Sequence, residues 1–252
     1  MREAAMTADP TLPLLWRSTG DSTERATPRR GPKAKVSVDE VIDAGIEVAD
    51  SEGLAALSMR GLAQRLGLGA MSLYTYVPGR DELVVLMVDQ VFGRTVRPAH
   101  AQDVRRRLEQ VAETSLAEYL AHPWLLELTG LRAFLGPHAA ARYEWQLTAV
   151  DGLGLGDVEM DQTVVLLDGL AATAARSVHD VLAAERRSGL TELEWWEANA
   201  EALGEVMAGH SFPLAGRVGQ AAGELYQAAQ DPERQFRFGL ARVVDGLLAY
   251  LE

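Results

Sequence analysis

The chain has 252 residues, 48% of them apolar, enough to bury a sizeable core in one or two domains. The absence of cysteine excludes disulfide frameworks and thiolate metal sites. The net charge of −12 excludes a broadly basic DNA-coating protein but leaves room for a small basic module: residues 97–252 hold 13 basic against 23 acidic side chains, while Arg25, Arg29, Arg30, Lys33 and Lys35 cluster with no acid among them.

In chain order, residues 1–36 are rich in Pro, Thr, Ser and Arg without a helical period, and read as a flexible basic arm. The exception is Leu12–Trp16, a short apolar knot suited to docking. Ordered structure is expected from Ser37, where Ser37-Val38-Asp39-Glu40 is a capping box ahead of Val41, Ile42, Ile46 and Val48. Gly53 stops that helix, Ser58 caps the next over Met59–Leu66, and Gly67 ends it. A short helix over Ala70–Tyr76 follows, Pro78-Gly79 breaks it, and Arg80–Arg94 reads as a further helix. The remainder divides into helices near Asp103–Ala121, Pro137–Val150, Val158–Arg187, Glu192–Ala208, Leu214–Ala229 and Pro232–Leu251. No strand-like alternation is visible. The expected fold is therefore all-α, with an N-terminal three-helix unit over 37–96 and a helical bundle over 97–252.

Residues 57–76 carry the functional signal. Two short helices flank a tight turn in which Gly67 takes a left-handed conformation without a Cβ penalty. Leu62, Leu66, Leu68, Leu73 and Val77 form a small core with Val41, Ile42 and Ile46. That leaves Ala70, Met71, Ser72, Tyr74 and Thr75 outward, an uncharged face that is odd for a solvated helix. It suits a DNA-reading helix, where methyl and hydroxyl groups meet thymine methyls and base edges and tyrosines reach phosphates. Arg60 opens the preceding helix and Arg80 the following one, within reach of guanine or phosphate.

The stretch Leu66-Gly67, Leu73-Tyr74, Val77, Arg80, Asp81 and Leu83 resembles the DNA-binding domain of the tetracycline-repressor (TetR) family over about residues 37–94. The resemblance implies that Arg60, Met71, Ser72 and Thr75 face bases and that Tyr74, Tyr76 and Arg80 hold phosphates. Tyr76 stands where a histidine is common. It implies too that Arg29, Arg30, Lys33 and Lys35 lie along the adjacent groove. His122-Pro123-Trp124 and the closing Phe238-Gly239-Leu240 and Asp245-Gly246-Leu247 are similar to the C-terminal domain of tetracycline repressor proper.

The final helix carries a stripe that includes Leu240, Val244, Leu247, Leu248 and Leu251. The segment 158–187, with Val164, Leu167 and Ala171, is apolar on more than one face. These eight residues are the expected seam of a homodimer, which the resemblance implies as a four-helix interface. The helices between imply an effector pocket, with Tyr119, Trp124, Arg132, Phe134, Tyr143, Gln146 and Gln162 as candidate lining. Val96 stands where drug-binding members carry a histidine, implying an effector other than a tetracycline–magnesium complex.

The five histidines show no metal-binding spacing, and neither a phosphate loop nor a G-x-S-x-G motif is present, so no enzyme, cofactor or metal is expected. No apolar run approaches the ~18 residues of a membrane span, and the opening residues do not read as a secretory signal. The expectation is a soluble, cytoplasmic, operator-binding regulator, primarily a repressor released by an unknown small molecule. An activator of the same family is the alternative, and a helical small-molecule-binding protein without DNA function is a weaker one.

Overall fold

The computed structural model describes residues 9, 11–17, 36–128, 136–207 and 210–251, and among these every regular element is helical. The expected capping box forms: Ser37 Oγ accepts from the Glu40 N–H at 3.1 Å and the Glu40 carboxylate accepts from the Ser37 N–H at 2.5 Å. These bonds satisfy amides that the first turn cannot pair internally. Helix α2 (Val38–Glu52) ends at Gly53, whose φ of 85° an L side chain rarely adopts. A 3₁₀ turn, Leu54–Ala56, follows, and then α3 (Met59–Arg65), capped by Ser58 through the Gly61 N–H. Gly67, at φ 65°, turns the chain into α4 (Ala70–Leu73), and α5 (Arg80–Arg94) completes the head.

Val41, Ile42, Leu73, Val77, Leu83 and Met87 are wholly buried at the centre of the head. The crossing of α2 over α5 requires a small residue at 45, because a Cβ there would lie 2.9 Å from Met87 Sδ. The knot at residues 11–17 docks on this core. Helix α1 (Leu12–Leu15) buries Leu15, and Arg17 pairs with Asp39 of α2. The expectation of a flexible arm over residues 1–36 is thus corrected at 11–17, where a buried leucine and an ion pair offset the ordering cost.

The body begins with α6 (Val104–Ala121), a 3₁₀ turn Pro123–Glu127 and α7 (Pro137–Thr148). Helix α8 (Asp157–Ser188) has 32 residues, roughly 48 Å at 1.5 Å per residue. Gly189, at φ 71°, closes it in a left-handed cap. Leu108, Val111 and Ala112 of α6 pack with Val164, Leu167 and Ala171 of α8 and with Phe236, Leu240 and Val244 of α11 (Pro232–Leu251). Helices α9 (Glu192–Met207) and α10 (Pro213–Tyr226) bury no residue, although Leu193, Trp195, Leu203, Val218 and Leu225 lie on them. No helix among the described residues is long and apolar enough to cross a membrane.

Candidate nucleic-acid interface and body site

The local sequence explains how the reading face is built. Leu73 and Val77 are drawn fully into the head core, so the backbone between Gly69 and Tyr76 must present its remaining side chains outward. Met71 is 80% exposed and Tyr74 46%, with Ala70, Ser72 and Thr75 also exposed. The helix proper is shorter than expected. It stops at Leu73, and residues 74–76 continue as a turn, with the Tyr76 N–H bonded to Leu73 O at 2.9 Å. Thr75 Oγ1 donates to Ser72 O at 2.6 Å. Arg60 is exposed on α3. Tyr76 is half-buried and packs on the head core.

Arg80 has a structural role that the sequence did not announce. Its Nε donates to Leu57 O at 3.0 Å and its Nη2 to Leu54 O at 2.9 Å. It therefore braces the 3₁₀ turn against the start of α5 with two of its five N–H donors, while the side chain stays 40% exposed. Arg29, Arg30, Lys33 and Lys35 lie outside the described residues, as do Arg132 and Phe134 of the candidate lining set.

Within the body, a buried charge cluster gathers two of the candidate lining residues. Arg142 Nε meets Glu118 Oε2 at 2.7 Å, and its Nη2 meets Asp168 Oδ1 at 2.6 Å and Ser115 Oγ at 3.0 Å. Its Nη1 donates to Gln146 at 3.2 Å, and Arg97 reaches Glu118 at 3.3 Å. Tyr119 Oη donates to Asp168 at 2.7 Å, and burial together with that carboxylate pushes the phenol well above its usual range. Tyr119 and Gln146 are thus brought together on α6 and α7.

The other described candidates lie elsewhere. Trp124 is 1% exposed and donates to Asp50 of α2 at 2.7 Å, so it belongs to the joint between head and body. Tyr143 and Gln162 are exposed, and Tyr143 Oη bonds Asp161 at 2.7 Å. The sequence reading missed Arg142, Glu118 and Asp168. Glu118 was the detectable signal, an acid continuing the buried α6 stripe of Leu108, Val111, Ala112 and Ser115.

The expected dimer seam also needs correction. Val164, Leu167, Ala171, Leu240 and Val244 are buried inside the chain's own core, and Leu247 and Leu248 pack against it. Leu251 is half-buried. These side chains hold α8 to α11 within one protomer. The large apolar residues left facing outward are Val158, Val165, Leu166 and Leu182 on α8 and Phe238 and Tyr250 on α11.

Two family profiles match the chain. Residues 41–87 match the profile described as bacterial regulatory proteins, tetR family, and residues 97–251 match that of the tetracyclin repressor-like C-terminal domain. The HTH-type transcriptional repressor DrrR1 of Streptomyces coeruleorubidus is 41% identical over 239 residues, covering 94% of this chain and 84% of that protein. Streptomyces coelicolor ActR, in its crystal structure with actinorhodin, aligns with a TM-score of 0.65 at 28% identity, over 86% of this chain and 99% of that one. TetR from Acinetobacter baumannii shares the fold at 15% identity and a TM-score of 0.54, over 86% of this chain and 99% of that chain.

Proposed function

The chain belongs to the tetR family of bacterial regulatory proteins and is a helix-turn-helix transcriptional regulator, and on that premise we propose that it is a cytoplasmic, homodimeric repressor released from a pseudo-palindromic operator by a small molecule. The observation that carries the DNA reading is the uncharged outward face of residues 70–75, held rigid by buried Leu73 and Val77. Two such heads would enter successive major grooves ~34–36 Å apart. Met71, Ser72 and Thr75 meet base edges, Tyr74 and Tyr76 meet phosphates, and Arg60 reads a guanine beside them. The basic residues Arg29, Arg30, Lys33 and Lys35 follow the neighbouring groove.

Repression, rather than activation, is supported by the repressor DrrR1, and a body that takes a small molecule by the ActR complex with actinorhodin. The effector occupies the α6–α8 region near Tyr119 and Gln146. It is not a tetracycline–magnesium complex, because the position corresponding to the drug-binding histidine is Val96, which is 89% exposed. Binding there would release the operator by favouring a second conformation with a different head separation.

Selection of bound sequences from a random DNA pool tests the reading: a two-fold-related consensus is expected, and retention of unrelated sequences with equal affinity would overturn it. On the selected operator, Arg60→Ala should weaken binding by ~1–3 kcal/mol and relax the preference at one base position. A uniform loss across all sequences, measured by fluorescence anisotropy, would reassign Arg60 to phosphate.

A further inference from the structure

We propose that Asp50 and Asp89 are positioning residues for operator recognition: two head carboxylates that fix the angle of the reading head on the body and so set the half-site spacing the dimer accepts. The proposal rests on the homodimeric operator reading above.

Asp50 lies in the last turn of α2, where a negative charge is unfavourable to the helix dipole, so the helix itself gains nothing from it. Its partners come from the body. Asp50 Oδ1 accepts from Trp124 Nε1 at 2.7 Å, and His122 Nδ1 lies 2.9 Å from the same oxygen. Trp124 is buried, so its indole N–H requires an acceptor, and the head supplies it.

Asp89 is the matching case on α5. It is 5% exposed, and its Oδ1 accepts the His138 and Ala139 N–H groups at 3.0 and 2.9 Å. These are orphan amides of the first turn of α7. The N-cap residue of α7 is Gly136, which has no side chain to cap them. A Cβ at 136 would collide with the Asp89 carboxylate, so the missing side chain makes room for a cap supplied by the other domain.

The two attachments sit on different head helices and engage body segments well separated in sequence. Both lead to the same helix. Arg176 of α8 donates to Leu126 O at 3.0 Å, tying down the turn that carries Trp124. Asp168 of α8 holds Arg142 of α7. Head orientation is thereby referenced to α8, whose outward apolar residues Val165 and Leu166 would meet the second copy in the homodimer proposed above. A rigid reference of this kind fixes the distance between two heads, and operator spacing reports that distance.

The test uses the full-length protein and its selected operator, with variants of that operator whose half-sites are one base pair closer or farther apart. The parent should lose affinity on the order of tenfold on the altered spacings, and Asp50→Ala and Asp89→Ala should each bind all three spacings within about threefold of one another, with helix content and dimer mass unchanged. Asp50→Asn, which keeps an acceptor for Trp124, should restore discrimination. A second readout is the head-to-head distance in DNA-free protein. Since the chain has no cysteine, a spin label on Gln64→Cys is unique per protomer. Its distance distribution should broaden in Asp50→Ala and Asp89→Ala. Equal weakening on every spacing with a distribution as narrow as the parent's would reduce both residues to stabilising contacts and overturn the proposal. If one alanine variant does not fold, the other reads the same quantity. A parent that selects no two-fold site would bring down the operator reading, and the proposal with it. A parent with strict spacing and variants just as strict would remove only the proposal.

Discussion

Replacing Arg142 by alanine should destabilise the protein by ~3–5 kcal/mol in urea unfolding, because it leaves the buried Glu118 with Arg97 alone and removes the cation from Asp168, whose side chain is only 26% exposed. The Arg142 side chain is 12% exposed and that of Glu118 2%. Its guanidinium bridges three helices, meeting Glu118 on α6 and Asp168 on α8 from its own place on α7, and stacks over the Phe92 ring of α5 at 4.8 Å. Burial opposes its charge, yet Asp168 and Glu118 outweigh burial and hold it above the usual arginine range. Without it, among the described residues, Glu118 keeps only Arg97, at 3.3 Å, and Asp168 keeps only hydroxyl donors. Combining Arg142→Met with Glu118→Gln and Asp168→Asn should recover much of the loss, since a neutral, packed replacement pays no charge-burial cost. A deficit below ~1 kcal/mol for Arg142→Ala would mean that water reaches the cluster.

The same cluster sets a pH dependence of known sign. Burial raises the Asp168 pKa, but the Arg142 charge and hydrogen bonds from Arg142, Tyr119 and Ser115 carry it below the ordinary aspartate value of 3.8. A carboxyl depressed in the folded state contributes stability above its unfolded pKa and loses it as pH falls through the folded one. The parent therefore keeps this contribution at pH 5 and loses it only below about pH 4. In Arg142→Ala burial acts unopposed by the guanidinium, the Asp168 pKa rises, and protonation relieves the strain. The deficit of the variant should accordingly be smaller near pH 4 than at pH 7, as paired unfolding curves would show.

The head was legible in the sequence because its decisions are local. Ser37, Ser58 and Gly67 act within four residues of themselves, and the alternation of buried Leu73 and Val77 with uncharged neighbours needs no distant partner. The bracing role of Arg80 was not legible because its partners do not exist as acceptors in a sequence. The Leu54 and Leu57 carbonyls are brought to it by a 3₁₀ turn more than 20 residues away, where Leu54 O also accepts the Leu57 N–H. The apolar surplus of α8 was correctly seen, yet its allocation was reversed. A stripe that is apolar on two faces cannot say which face meets its own chain, and Val164, Leu167 and Ala171 went inward while Val165 and Leu166 stayed out. Trp124 looked like a pocket aromatic because nothing in its neighbourhood revealed that its indole partner, Asp50, lies 74 residues earlier.

That reversal decides where a dimer-breaking substitution belongs. Leu247 packs on the protomer's own core, so a charge there would confuse unfolding with dissociation. Val165 and Phe238 are 61% and 66% exposed in the single chain, and a carboxylate at either is tolerated by the protomer fold. The two helices that carry them approach closely: a Cβ on Gly239 of α11 would lie 3.3 Å from Leu170 of α8. Tyr250 near the end of α11 bonds Glu159 near the start of α8. The two helices are thus adjacent along their length, and a two-fold copy would complete them as four helices. Val165→Glu combined with Phe238→Glu places like charges across the symmetry axis, and Arg242, which lies over the Phe238 ring, can offset only the charge at 238, so a monomer is expected in sedimentation at micromolar concentration. Operator affinity should then fall by ~10²–10⁴-fold, the loss incurred when a second half-site contact ceases to be intramolecular. The head core, which contains neither residue, should keep its protection in hydrogen exchange. A dimer mass and unchanged operator affinity in the double variant would place the contact between copies elsewhere, with exposed Leu193, Trp195 and Leu203 of α9 and Leu225 of α10 the next surface to test.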